Sequence, residues 1–389
     1  MQQGDKIYAH GGNIYPYLER GEAPLDFSAN VSPLGLSPAA RAAAREALAN
    51  AHLYPDPECR RLRAVLAEKL TEEATFSVSP SHAAGLSEKH AEKAGARKKH
   101  VKKRISPSQI LCGNGAADLI YRLAFAVQPK AAVLAEPTFA EYERALAAAG
   151  CAEIRHFLLD AKENFLPSEA FLSEITEEVG LVFICNPNNP TGMLWPRDLL
   201  GKVWARCREV GAVLLVDECF LPFVARERQD SLLMAIACAE GSGGSLILLR
   251  AFTKFYGMAG LRLGYAVSND EKLLMRMQNA GPPWGVSSVA EAAGVAALND
   301  ERYEERLAEL VRTEREFLRA RLSNLGFHVL PGEANFLLFQ ADEELGPRLQ
   351  ERGILLRSCA NFRGLDATWY RTAVRTREEN ERLLAEIYP

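Results

Sequence analysis

Residues 250–265 read RAFTKFYGMAGLRLGY and follow directly on an apolar run, 245-SLILL. Lys254 therefore stands just past a strand-like segment, with a glycine-containing turn after it and Arg262 eight residues on. A lysine in a partly desolvated pocket gives up its proton more readily than one in water, and its neutral amine attacks aldehydes. A guanidinium close by would hold an anion. Taken alone, such a lysine more often lies on a surface with its ammonium in water. The company it keeps reverses that.

Outward from this stretch, short apolar runs recur: 131-AAVLAEP, 181-LVFICNP, 212-AVLLVDE and 262-RLGYAV, with helix-like stretches such as 139–149 and 197–210 between most of them. Near-continuous apolar strands alternating with helices predict an α/β fold with a mostly parallel sheet covered on both faces. Ligands bind such sheets beyond the carboxyl ends of the strands. Asn189, Asp217 and Lys254 each fall at or just after such an end, the first sign of one site built from distant segments. From about residue 285 the texture changes to a long charged helix (299–324), the strand-like 327-FHVLPGEANFLLFQ, a helix near 344–352, 353-GILLRSC, 370-YRTAVRT and a closing helix. We expect a large domain over 41–284 and a smaller α+β domain from 1–40 with 285–389.

With 389 residues, 48% of them apolar and 25% charged, the chain has ordinary globular composition and room for a large core. Its net charge of -4 argues against a polyanion binder, so no nucleic acid partner is expected. No apolar run approaches the ~18 residues of a membrane span, and the opening MQQGDKIYAHGGN lacks the apolar core of a signal peptide. The eight cysteines are scattered without a CxxC pair, and Cys185 and Cys219 sit in strand-like runs. Buried free thiols in a cytoplasmic protein, with neither a disulfide frame nor a metal site, are expected. One segment departs from this composition: Lys89 to Arg104 holds eight Lys/Arg and one Glu, within an insertion of about 75–106. A solvated surface insertion explains it better than a docking arm, since aromatic residues are not interleaved.

Three further motifs carry chemistry. Asp217 ends 212-AVLLVD; such a carboxylate, opposite a pyridine ring, would keep the ring nitrogen protonated. In 113-GNGAAD the glycines permit close backbone approach, and the first helical amides, of Ala116 and Ala117, would face a phosphate. The loop 186-NPNNPTG presents Asn189 on a rigid turn. In this order, with Lys254 and Arg262, these motifs resemble a fold type I pyridoxal-phosphate enzyme of the aspartate aminotransferase superfamily, over the whole chain except the basic insertion. The resemblance implies that Lys254 carries the cofactor, Asp217 meets the pyridine nitrogen, Asn189 donates to the ring phenolate oxygen and Phe139 stacks on the ring. It implies that Ala116, Ala117, Thr253 and Arg262 hold the cofactor phosphate, and that Tyr54 reaches that phosphate across an obligate homodimer. Two positions depart from the pattern: Ala251 replaces a phosphate-binding hydroxyl, and Phe220 stands where a tyrosine usually donates to the ring oxygen.

Within the superfamily, 10-HGGNI, 26-DFSANVSPLG, 217-DECF, 283-PWGVSS, 356-LRSCANFRGLD and 369-WYRTAVRT resemble the threonine-phosphate decarboxylases of cobalamin biosynthesis. That branch implies a small phosphorylated amino-acid substrate, L-threonine O-3-phosphate, contacted by His10, Gly11, Asn30, Asn189, Arg357 and Arg371. The alternative branch is histidinol-phosphate aminotransferase. A more distant alternative is a catalytically silent binding module on the same fold, against which the intact Lys254 argues.

Overall fold

The computed structural model describes residues 10–76, 104–238 and 244–387. Among them are thirteen strands: β1 (Leu25–Asp26), β2 (Ile110–Gly113), β3 (Ala131–Glu136), β4 (Glu153–Leu158), β5 (Val179–Cys185), β6 (Val213–Asp217), β7 (Ser245–Ala251), β8 (Gly264–Ser268), β9 (His328–Val329), β10 (Phe336–Gln340), β11 (Ile354–Leu355), β12 (Arg357–Ser358) and β13 (Trp369–Ala373).

Seven strands form one sheet in the order β2–β8–β7–β6–β5–β3–β4. From β4 through β3, β5 and β6 to β7 every pairing is parallel. The exception is β8, antiparallel to both β7 and β2. Parallel neighbours need a crossover, usually a helix, and the link 252–263 is only a succession of turns, so the chain reverses there.

Side chains alternate between the two faces with the period of two that a pleated strand imposes. Val182, Ile184, Leu214 and Val216 pack with Leu66 and Leu70 of the helix Arg60–Phe76 and with Val203 of Arg197–Val210. Leu181, Phe183 and Leu215 face the other way, against Leu119 and Leu123 of the helix Ala116–Val127, Tyr142 and Leu146 of Glu141–Ala148, and Leu307. Both faces being covered explains why β5 and β6 read as unbroken apolar runs.

A four-stranded antiparallel sheet, β12–β13–β10–β9, and a two-stranded parallel pair, β1–β11, enclose a third cluster with Phe27, Leu318 and Leu383. Here the sequence expectations need refining. The run 327–340 is two strands, because Pro331 and Gly332 turn the chain between β9 and β10. The run 353-GILLRSC feeds two sheets, with Leu356 as the change-over between β11 and β12. The long helix is Glu301–Asn324, since Asp300 caps it by accepting from the Tyr303 amide at 3.2 Å.

All eight cysteines are free thiols. Cys185 ends β5, but Cys219 lies beyond the end of β6 instead of within a strand. No helix among the described residues is long and apolar enough to cross a membrane. The basic run 89–104 lies outside the described residues except Arg104. Where the chain resumes, the Ile105 amide donates to Thr71 Oγ1 at 3.0 Å, alongside the helix that precedes the insertion.

Candidate active site

The carboxyl ends of β2, β3, β5, β6 and β7 open onto one edge of the large sheet. Asp217 ends β6 and is registered opposite Cys185, the end of β5, so the loop to Asn189 starts beside it. Ala251 ends β7 opposite Gly264, and Gly264 is also opposite Gly113 at the end of β2. This register brings Lys254, Arg262 and the start of the helix at Ala116 to the same edge. The Ser32 amide donates to the Lys254 carbonyl at 2.9 Å, which ties the N-terminal segment to the lysine loop.

Asp217 is buried, 5% exposed, and accepts from the Cys219 amide at 3.0 Å and the Tyr142 hydroxyl at 2.7 Å. Burial raises its carboxyl above the usual range while these donors pull it back. Tyr142 is itself fully buried, stacked on Phe183 at 4.9 Å and edge-on to Phe139 at 5.6 Å. Sequence reasoning missed it. Its only signal was a phenol three residues after Phe139, which means nothing until the fold places it against Asp217.

Lys254 is lowered to about 8, by burial first and then by the charge of Arg371. An amine so placed is partly neutral near physiological pH and poised to act as a nucleophile or proton carrier. Thr253 beside it is buried.

The start of the helix Ala116–Val127 forms an anion cradle. Gly115 caps it with φ +83, a left-handed backbone that an L side chain resists. A Cβ there would sit 2.6 Å from Arg262 Nη2, and one at Gly264 would sit 2.7 Å from the Ala116 amide nitrogen. Arg262, itself at φ +59 and exposed, donates through Nη1 to the Ala259 carbonyl at 3.1 Å. Backbone amides, a helix N-terminus and a guanidinium thus converge where only glycines fit, and this donor set suits a phosphate.

On the opposite side Arg371 is buried and donates to Asn189 Oδ1 and, at 3.1 Å, to the Ser28 carbonyl. With the Asn30 amide oriented so that both groups are satisfied, its oxygen accepts from Arg371 Nε at 3.1 Å and Nη1 at 3.2 Å. The guanidinium also lies over the Phe336 ring at 5.2 Å, and Phe220 meets that ring edge-on at 5.0 Å. Arg357 is registered directly opposite Arg371 across β12 and β13; it donates to Asn361 Oδ1 at 2.7 Å and stands over Phe362. Burial, then the charge of Arg357, lowers Arg371 to about 10.

His10 packs against Phe139, with ring centroids 5.8 Å apart, and Gly11 lies against Ser28. Tyr54 is apart from these groups: it is 80% exposed and stacks on Trp284 at 4.6 Å. Apart from Tyr54, the residues singled out from the sequence gather at this edge. Glu141, which pairs with His10, was not among them.

The model of the family described as aminotransferase class I and II matches residues 23–387. Threonine-phosphate decarboxylase of Salmonella typhimurium is 35% identical over 387 residues, covering 97% of this chain and 95% of that protein. An adenosylcobalamin biosynthesis bifunctional protein of Leptospira interrogans is 28% identical over 396 residues, 96% of this chain but 40% of its own length. Among solved structures, the histidinol-phosphate aminotransferase from Clostridium acetobutylicum superposes with a TM-score of 0.77 at 26% identity, covering 93% of this chain and 97% of that one. With a matching family model over nearly its full length and these motifs at one sheet edge, the chain belongs to the aminotransferase class I and II family.

Proposed function

We propose that this protein is a pyridoxal-phosphate-dependent carboxy-lyase that converts L-threonine O-3-phosphate to (R)-1-aminopropan-2-yl phosphate and carbon dioxide, a step toward adenosylcobalamin. The carrying observation is the pair Arg357 and Arg371, held face to face across two strands at the mouth of the site. Like charges in that position repel unless an anion lies between them, and a phosphorylated amino acid brings both a phosphate and a carboxylate. The histidinol-phosphate branch needs such cations too, and it is the 35% identity to the Salmonella decarboxylase that favours the decarboxylase branch.

The donor set fits the cofactor. Ala116, Ala117, Thr253 and Arg262 would hold its phosphate, Phe139 would cover the ring, and Asp217 would meet the ring nitrogen. Since Arg371 occupies Asn189 Oδ1, the Asn189 Nδ2 is the end left to donate to the ring oxygen. When bound, pyridoxal phosphate supplies an aldehyde for the substrate amine and an electron-withdrawing ring. Asp217 holds the proton on that ring's nitrogen, and Tyr142 steadies Asp217. Arg357 and Arg371 grip the anionic ends of the substrate and set which bond at Cα is presented for cleavage. Lys254 would deliver to Cα the proton that takes the place of the departing carboxylate. Phe220, packed on Phe336, offers no phenol to the ring oxygen, which leaves that contact to Asn189.

We further propose a cytoplasmic homodimer in which the exposed Tyr54 serves the neighbouring subunit's phosphate site, and a domain division near residues 40 and 285. The test of the reaction is release of carbon dioxide from threonine phosphate without an oxo-acid acceptor. Histidinol phosphate with 2-oxoglutarate should turn over at least ~100-fold less well, about 2.7 kcal/mol of differential transition-state binding. The reverse ranking would assign the aminotransferase reaction that the Clostridium structure's name carries. A silent binding module would turn over neither.

A further inference from the structure

The mouth of the site holds a hydrogen bond between His10 and Glu141, and the proposed chemistry gives that carboxylate no role. His10 Nε2 lies 2.8 Å from Glu141 Oε1, joining residues 131 apart in sequence. Glu141 opens the helix Glu141–Ala148, where the positive end of the helix favours a carboxylate, and it is only 7% exposed. The Tyr121 hydroxyl donates to its Oε2 at 3.3 Å, and Arg144 Nη1 stands 3.6 Å from Oε1. The bond to His10 is the foremost cause holding the Glu141 carboxyl below its ordinary range. Beyond His10, the Gly12 amide donates to Ser28 Oγ at 2.8 Å. A Cβ at Gly11 would come 2.1 Å from the Ser28 carbonyl oxygen, the same atom that accepts from Arg371. Residues 10–12 therefore run from the Phe139 wall to the Arg371 wall, fastened at both ends.

We propose that Glu141 is a positioning residue: through His10 it pins residues 10–12 across the mouth, and so sets how firmly the anionic end of the substrate is held. The proposal rests on the decarboxylase reading for its choice of substrate. A pair whose histidine side chain is 47% exposed adds little to global stability. What it fixes is the place of a short segment that would otherwise sample many positions.

The test uses Glu141→Gln and His10→Ala, singly and together, in the full chain. Hydrogen exchange of the cofactor-free protein follows the peptide 10–18, and steady-state kinetics follow L-threonine O-3-phosphate on the loaded enzyme. Each single variant should speed exchange in that peptide by about tenfold, as expected when a local opening becomes easier. Each should raise KM by about tenfold with kcat within about twofold, the pattern of lost binding without lost chemistry. The double variant should be no worse than His10→Ala alone, since the two act as one coupled unit. Additive losses in the double variant, or unchanged exchange over residues 10–18, would overturn the proposal. A wild-type protein that releases no carbon dioxide would sink the decarboxylase reading instead, while the exchange measurement, which needs neither cofactor nor substrate, would still judge the role of Glu141.

Discussion

At the scale of single residues, the burial of Lys254 has a measurable cost. Its folded value of about 8 lies below the 10.5 of an exposed lysine, so between the two the unfolded chain binds more protons. Stability therefore rises with pH across that window, and the penalty is complete below about 8. Cofactor-free Lys254→Met should be more stable than wild type by about 2–3 kcal/mol at pH 7, with the gap closing toward pH 10 in denaturant titrations. The same substitution should abolish borohydride trapping of pyridoxal phosphate on the protein; trapping that persists would move the cofactor to another lysine. Tyr142→Phe removes a hydroxyl donor to the buried Asp217. A hydrogen bond to a charged group of this kind is worth roughly tenfold or more in rate, so kcat should fall by about that factor with KM little changed. Lys254, Asp217 and Asn189 could be read from the sequence because each follows an apolar strand whose end is itself legible. Tyr142 and Glu141 could not, since each matters only through a partner 75 or 131 residues away.

At the scale of elements, the phosphate cradle depends on two strands and a helix meeting with no side chain between them. Gly115→Ala would place a methyl against Arg262 Nη2 and strain a left-handed backbone. The expected result is weaker retention of pyridoxal phosphate by at least about tenfold, with a smaller change in thermal midpoint, measured by equilibrium dialysis and calorimetry. Retention equal to wild type would place the phosphate elsewhere. The parallel core, from β4 to β7, was legible because strands buried on both faces lose their polar alternation. The reversal at β8 was not, because an apolar run carries no mark of its direction. Nor did 353-GILLRSC announce that it serves two sheets, since that split follows from which neighbours reach it: Leu25 and Asp26 on one side, Tyr370 and Arg371 on the other.

For the molecule as a whole, the exposed Tyr54–Trp284 stack is the test of the proposed homodimer. Tyr54→Ala should weaken self-association in sedimentation and release cofactor on dilution; a monomer that keeps its cofactor would count against a shared site. Deleting residues 80–104 should leave turnover within about twofold, because changing the length of a connection costs only ~0.6 kcal/mol per doubling and the flanks already meet at Ile105 and Thr71. The pairing of β1 with β11 reaches further than the active site. Leu25 lies beside Ile354, and the Ala373 amide donates to the Phe27 carbonyl at 2.8 Å, so residues 25–27 are seated on partners more than 300 residues later. During synthesis, at roughly 5–20 residues per second, residues 25–27 leave the ribosome well before their partners exist. The seven-stranded sheet can assemble on the nascent chain, but the side of the site that carries Asn30 and Arg371 must wait until β11 and β13 have emerged. A truncated translation product would then keep a folded cofactor cradle and lack the arginines, so premature termination should leave a protein able to sequester the cofactor without consuming substrate.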